Sequence, residues 1–356
     1  MRRLAACLWL LAAAPAWAQG ELLVGNKAAD TVWRLSLDDG RRLAETATGA
    51  APHEIAVSPD GRTAVVSEYG HDVPGASLTA IALDGGAPRA IDLGAHRRPH
   101  GLRYAPDGRL FATAEAGGAL LCVDVAAGRV GRAYEVGEGV GHMVALSRDG
   151  ATAYVSKIRA GSVVRVDLAG GRRLERPAGD GAEGIEVAPD GSVWVTNRAA
   201  DTVTVHDPGT LAVRATLPSP GFPIRVAFTP DGRHALVTNA RAATLAVFDA
   251  VTHAPVATVA LSEPGRAYRE TLLGRAALPI GVIADPARPR VYVAVSGGNE
   301  IAVVDSERWQ VVARWPTGDE PDALAIAGRP AARAAAAAAC AGAEPEAARK
   351  GDGPAD

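Results

Sequence analysis

Cysteine, lysine and aromatic residues are all scarce in this 356-residue chain. The cysteines are Cys7, Cys122 and Cys340, the lysines Lys27, Lys157 and Lys350, and aromatics make up 4% of residues. Cys7 lies in the leader described below, so two cysteines remain, one in the body of the chain and one in its tail. That is too few for a disulfide framework, and no internal disulfide is expected. No C-x-x-C-H haem attachment site is present. Arginine supplies 34 of the 37 basic residues, but 40 acidic residues bring the formal charge to -3. A near-neutral chain offers no electrostatic footprint for nucleic acid or an anionic membrane. Beyond the leader, no apolar run approaches the roughly 20 residues of a membrane helix. Also missing are G-x-S-x-G, H-E-x-x-H and a phosphate loop, so serine hydrolase, zincin and nucleotide chemistry have no motif behind them.

At the start of the chain Arg2 and Arg3 precede an apolar stretch, Leu4 to Ala14, and Ala16-Trp17-Ala18 forms a small-residue cleavage site. This order reads as a secretory signal peptide over residues 1–18, and implies a periplasmic or secreted protein.

What is plentiful is repetition. Pro-His-Glu-Ile-Ala-Val-Ser-Pro-Asp-Gly (52–61) returns at 99–108, 141–150, 182–191 and 223–232, with weaker copies at 279–286 and 321–328. The turn aspartates Asp107, Asp149, Asp190 and Asp231 are spaced by 42, 41 and 41 residues. This period fits one four-stranded propeller blade per repeat. Each copy reads as a strand ending at Pro-Asp-Gly, a second strand such as Ser192 to Asn197, a third such as Thr202 to Asp207, and an outer strand such as Leu211 to Leu217. In the first strand, small residues (Ala56, Gly101, Ala145, Gly184, Ala227, Gly281, Ala323) sit beside larger ones such as Ile55 and Leu102, an alternation suited to wedges converging on an axis.

The N-terminal stretch 22–48 supplies three strands without a first, and Asp322 to Ala327 supplies a first strand with nothing after it. Joined, they make a seventh blade. The expected fold is therefore an all-β, seven-bladed propeller of four-stranded antiparallel blades over residues 19–328, with the chain ends sharing one blade. Residues 329–356, alanine-rich and without strand pattern, read as a disordered tail. Ser262 to Ala277 reads as an insertion placed where a lid over one end would lie.

Pro-x-Gly-Ile-x-Val-x-Pro-Asp-Gly followed by Val195-Thr196-Asn197 or Val237-Thr238-Asn239 resembles the YVTN-repeat, YncE-like family of β-propellers, over nearly all of residues 21–328. The resemblance implies the fold. It does not fix a function, since such propellers include binding modules, surface proteins, lactonase-like enzymes and lyases.

Two rows of residues are expected at the mouth of the channel. The residues opening each first strand are His53, His100, His142, Glu183, Ile224, Ile280 and Asp322. The residues closing each second strand are Glu68, Glu115, Lys157, Asn197, Asn239, Ser296 and Asn26. His53, His100 and His142 with Glu68 and Glu115, joined by Glu183, form a candidate set for a divalent metal or an anionic ligand, because imidazole and carboxylate suit zinc, copper, nickel or iron. Lys157, Asn197, Asn239 and Asp322 are further candidate ligand contacts. The alternative is that these residues only line a hydrated channel. His71, His96, Arg97 and Arg98 are expected in loops at the same end; His206, His234 and His253 are expected away from it.

Two functions fit. One is a monomeric binding module holding a small molecule, a metal or another periplasmic protein at its mouth. The other is a metal-dependent hydrolase or lyase, lactonase-like or streptogramin-lyase-like, with Glu68 or Glu115 as base.

Overall fold

The computed structural model describes residues 20–328 and Cys340. The expected signal peptide lies outside the described residues, as does the tail apart from Cys340. Among the described residues no helix is long and apolar enough to cross a membrane.

Seven four-stranded antiparallel sheets form the ring. The inner strands of blades 1 to 6 are Pro52–Val57, Arg97–Tyr104, Gly141–Leu146, Ala182–Val187, Pro223–Phe228 and Pro279–Ala284. Blade 7 is composite, as expected. Its inner strand Pro321–Ala327 pairs with Glu21–Asn26, with Leu22 opposite Ile326 and Val24 opposite Leu324; Thr31–Ser36 and Arg42–Ala47 complete the sheet. The pairing ties the two ends of the described ring together and gives the inner strand its ladder partner.

The turns follow from their sequence. In Pro-Asp-Gly the Asp190 carboxylate accepts from the Ser192 N–H at 2.9 Å, an Asx turn, and Gly191 takes a φ of +89° that an L side chain resists. The apolar clusters lie between blades, not within them. Trp194, Val203, Val205 and Leu217 of blade 4 pack on Val226, Val237 and Phe248 of blade 5, with Trp194 fully buried and 5.5 Å from the Phe228 ring. Sheets packed face to face around a ring bury both faces, which is why second strands read as nearly continuous apolar runs.

A hydroxyl stitches the inner strands together. Thr196 Oγ1 accepts from the Gly184 N–H of its own blade at 2.8 Å and donates to the Ile224 carbonyl of the next at 2.9 Å. Thr113, Ser156 and Thr238 do the same toward the His142, Glu183 and Ile280 carbonyls. This is the physical content of the Thr in Val-Thr-Asn. Gly184 is required by the same contact, since a Cβ there would lie 2.2 Å from the Ile224 carbonyl oxygen.

One expectation fails. Cys122 and Cys340 form a disulfide, their Cα atoms 5.8 Å apart. Cys122 is buried with Phe111, Leu120 and Tyr134 against blade 3, and Cys340 packs on the same cluster. The count of cysteines gave the wrong answer because the position of a tail residue over a blade is invisible in sequence.

Two outcomes follow from this architecture. Thr196→Val leaves the Gly184 N–H and the Ile224 carbonyl buried without their partner, and should cost about 1–3 kcal/mol in urea denaturation. Cys340→Ser removes a cross-link between residues 218 apart and should lower stability by about 2–4 kcal/mol, with reduction having the same effect on the wild type and none on the variant. Equal stability of the two proteins would show that the tail is not cross-linked.

Candidate functional site

All seven opening residues line one cavity of about 660 Å³ at the channel mouth. Its sectors differ. Blades 1 to 3 contribute His53, His100 and His142, blade 4 Glu183, blades 5 and 6 the apolar Ile224 and Ile280, and blade 7 Asp322. His100 stands between the other two imidazoles, with ring centroids 4.7 Å from His53 and 3.7 Å from His142.

The closing row behaves differently. Its side chains turn back under the loop that enters the blade. Glu68 accepts from the Gly49 N–H at 2.7 Å and from the Ser77 and Thr79 hydroxyls. Buried Lys157 donates to Glu175 at 2.9 Å; Asn197 donates to Thr202 and Thr204; Asn239 donates to Thr244 and accepts from Ser219. Asn26 donates to Thr31 in the same manner. None of these five lines the cavity. Alternation along a strand explains this: if the closing residue points back, its successor points to the mouth.

That successor row was not foreseen. The ladder pairs Pro99 with Ala114, as it pairs Pro52 with Glu68 and Pro223 with Asn239, so the closing residue of blade 2 is Ala114 and Glu115 is its successor. Likewise Pro279 pairs with Val295, placing Ser296 one step late. The mouth-facing row therefore includes Lys27, Tyr69, Glu115 and Arg198. Lys27, Tyr69 and Arg198 line the cavity directly, and Glu115 accepts from Tyr69 Oη at 2.6 Å. Counting one residue beyond Val-Thr-Asn would have found it.

The small-residue row also mixed two registers. The residue after each opening position is Glu54, Gly101, Met143, Gly184, Arg225, Gly281 or Ala323. Glu54 and Arg225 are the charged exceptions, and they form a buried pair at 2.6 Å. Burial pushes the Glu54 carboxyl up despite Arg225, and the Arg225 guanidinium is held charged against its own burial chiefly by Glu54.

His142 lies between two carboxylates. Its Nδ1 donates to Glu115 and its Nε2 faces Glu183 at 3.2 Å. Burial opposes its charge, but Glu183 and Glu115 outweigh that and raise it to about 9. Glu115 and Glu183 are drawn below the usual carboxylate range, burial notwithstanding, mainly by His142. For His53 and His100 burial wins. His53 falls to about 4, and His100, disfavoured further by the charge on His142, falls well below its ordinary value. The triplet is thus one imidazolium and two neutral imidazoles.

Around it the ion pairs are nearly complete. Arg198 meets Glu183 at 2.6 Å, and Lys27 meets Asp322 at 3.3 Å. Four buried polar atoms of the cavity wall lack a hydrogen-bond partner among the described residues, His100 Nδ1, Glu183 Oε2, Arg225 Nη1 and Asp322 Oδ1, although Glu183 Oε2 is the atom that Arg198 meets as an ion pair. One ligand atom each from His100, Glu115 and His142 falls within 4.8 Å of the others.

Of the four residues expected in loops, Arg97 and Arg98 instead begin the inner strand of blade 2; His71 and Arg98 line the cavity, and His71 Nε2 meets Asp30 at 3.0 Å. His96 and Arg97 do not line it; Arg97 donates to the Gly94 and His96 carbonyls. His206 is buried in blade 4, bonded to Thr204 and Leu211, while His234 and His253 pack on Trp309 and Trp194. The insertion forms a hairpin, Glu270–Thr271 with Gly274–Arg275, whose Leu272 and Leu273 reach the cavity.

No protein-family model matches the chain, and no curated protein matches its sequence. Solved structures do. A functionally unknown protein from Desulfotomaculum acetoxidans is 15% identical with a TM-score of 0.71, covering 86% of this chain and 99% of that one. Hydrazine synthase of Kuenenia stuttgartiensis is 20% identical with a TM-score of 0.63, over 76% and 88% of the two chains. A catalytically inactive virginiamycin B lyase from Staphylococcus aureus, solved with quinupristin, is 14% identical with a TM-score of 0.63, over 78% and 92%. At such identities the likeness establishes the seven-bladed propeller fold, and the fold alone.

Proposed function

We propose that this propeller is a binding module whose mouth holds a divalent transition metal on His100, His142 and Glu115, with the cavity above open to a small molecule. One observation carries the reading: His100 is 3% exposed, its Nδ1 has no hydrogen-bond partner, and one of its ring nitrogens lies within 4.8 Å of ligand atoms of Glu115 and His142. A buried polar atom without a partner calls for an ion or a water. Two imidazoles and a carboxylate are a donor set for zinc, copper or nickel in preference to magnesium or calcium. The surroundings suit it. Tyr69 holds Glu115 by a hydrogen bond, and Glu183 can keep the Nε2 proton of His142 while Nδ1 gives up its own to a metal.

Placement weakens the hydrolase or lyase reading. Of the two candidate bases, Glu68 is held under the Gly49 loop and Glu115 is taken as a ligand. That leaves no free carboxylate of the expected pair to activate a metal-bound water.

Chelator-stripped protein titrated with zinc, copper, nickel and magnesium, with metal content measured independently, should take up one equivalent of a transition ion and no magnesium. His100→Ala should weaken uptake at least tenfold and His234→Ala, at the other end of its blade, should not. Tyr69→Phe should weaken it by about tenfold through Glu115. Failure of the wild type to hold stoichiometric metal, or full uptake by His100→Ala, would remove the proposal.

A further inference from the structure

The half of the cavity across the ring from the imidazoles is apolar and plays no part in holding a metal. Ile224 and Ile280 are buried there in one cluster, and Leu273 of the hairpin packs on it. Its neighbour Leu272, at the hairpin tip and also on the cavity wall, is 95% exposed, the most exposed large apolar side chain among the described residues. Among the described residues nothing covers it.

On the imidazole side the wall carries a cation without a counter-charge. Lys27, Arg198 and Arg225 are each met by a carboxylate, from Asp322, Glu183 and Glu54. Arg98 is not. It lies over the Tyr69 ring at 4.6 Å and donates to the Gly70 and His71 carbonyls at 2.8 and 2.9 Å, with no carboxylate partner among the described residues. Arg225 Nη1 adds a buried donor with no hydrogen-bond acceptor, its nearest carboxylate, Glu183, standing 3.7 Å away. The wall's own anions, Glu183, Asp322 and Glu320, are engaged by Arg198, Arg225 and Lys27, and Asp72 stands exposed in the loop that Arg98 holds.

From this division we infer that the small molecule is an organic anion with a short apolar arm, a medium-chain or aryl carboxylate. Its head lies toward Arg98 and Arg225, and its arm runs across the mouth to Ile224, Ile280, Leu272 and Leu273. The cavity volume of about 660 Å³ admits a ligand of that size and excludes a large lipid. An inorganic anion would leave the apolar half uncovered, and a neutral or cationic amphiphile would leave Arg98 uncompensated. The inference deepens the binding reading above and rests on the cavity being a ligand site, but not on the metal.

The test is calorimetry on chelator-stripped protein with acetate, butyrate and hexanoate, and with hexanol and hexylammonium as probes of the head group. Affinity should rise about fourfold per methylene from butyrate to hexanoate, the value of burying one CH₂. Hexanol and hexylammonium should bind at least tenfold more weakly than hexanoate. Replacing Leu272 and Leu273 together by Ser, on a surface hairpin outside the blades, should flatten the chain-length series and spare acetate. Arg98→Gln should weaken every carboxylate by about tenfold and keep the slope. Affinity independent of chain length, hexylammonium binding as well as hexanoate, or hexanoate binding only to metal-loaded protein would each overturn the inference. A normal carboxylate series on protein that takes up no metal would sink the metal reading and leave this one standing.

Discussion

Seven wedges must meet at one axis, and the contact between adjacent inner strands is where the molecule satisfies that demand. A first strand has its own sheet on one side and a neighbouring blade's first strand on the other, so part of its backbone is buried with no ladder partner. Thr113, Ser156, Thr196 and Thr238 resolve this by accepting from one strand and donating to the next. Each stitch fixes the height of one blade relative to its neighbour. Because the opening residue sits one position before the bonded amide, or itself supplies the bonded carbonyl, the same stitches set the height of His142, Glu183, Ile224 and Ile280 around the mouth.

That regularity makes the mouth possible and also makes it expensive. Equivalent positions deliver whatever residue they hold to one small volume, so three imidazoles and several carboxylates converge away from bulk water. Unpaired charges there would cost several kcal/mol apiece. The protein answers with pairs: Glu54 with Arg225, Glu183 with Arg198, Asp322 with Lys27, and His142 between Glu115 and Glu183. Every charge so placed fixes a neighbour's protonation. His142 is charged because two carboxylates face it, and His100 is neutral because it is buried against His142. His100 Nδ1, without a hydrogen-bond partner, and Arg98, without a carboxylate partner among the described residues, stand out against this background of compensation, and the proposed metal and organic anion rest on them.

The disulfide shows a different constraint. Cys122 belongs to the interface of blades 2 and 3, and Cys340 lies beyond the last strand of the ring. Their bond fastens the tail to a blade far from the composite blade where the described ring ends.

Repetition alone determined the fold, because a 41-residue period of four short strands with turn signals leaves few architectures that bury both sheet faces, and an orphan first strand at one end matched three strands at the other. The opening row was legible for the same reason: ring symmetry carries His53, His100 and His142 to one end. The closing row was not. Side-chain direction flips with each residue, so aligning Glu115 and Ser296 one step off hid Ala114 and concealed Tyr69, Lys27 and Arg198 as mouth residues. Glu54 and Arg225 escaped because two registers of small residues look alike in a string. Pairing register, the partner of each charge and the landing point of Cys340 depend on contacts between residues dozens to hundreds of positions apart, and only the tertiary structure decided them.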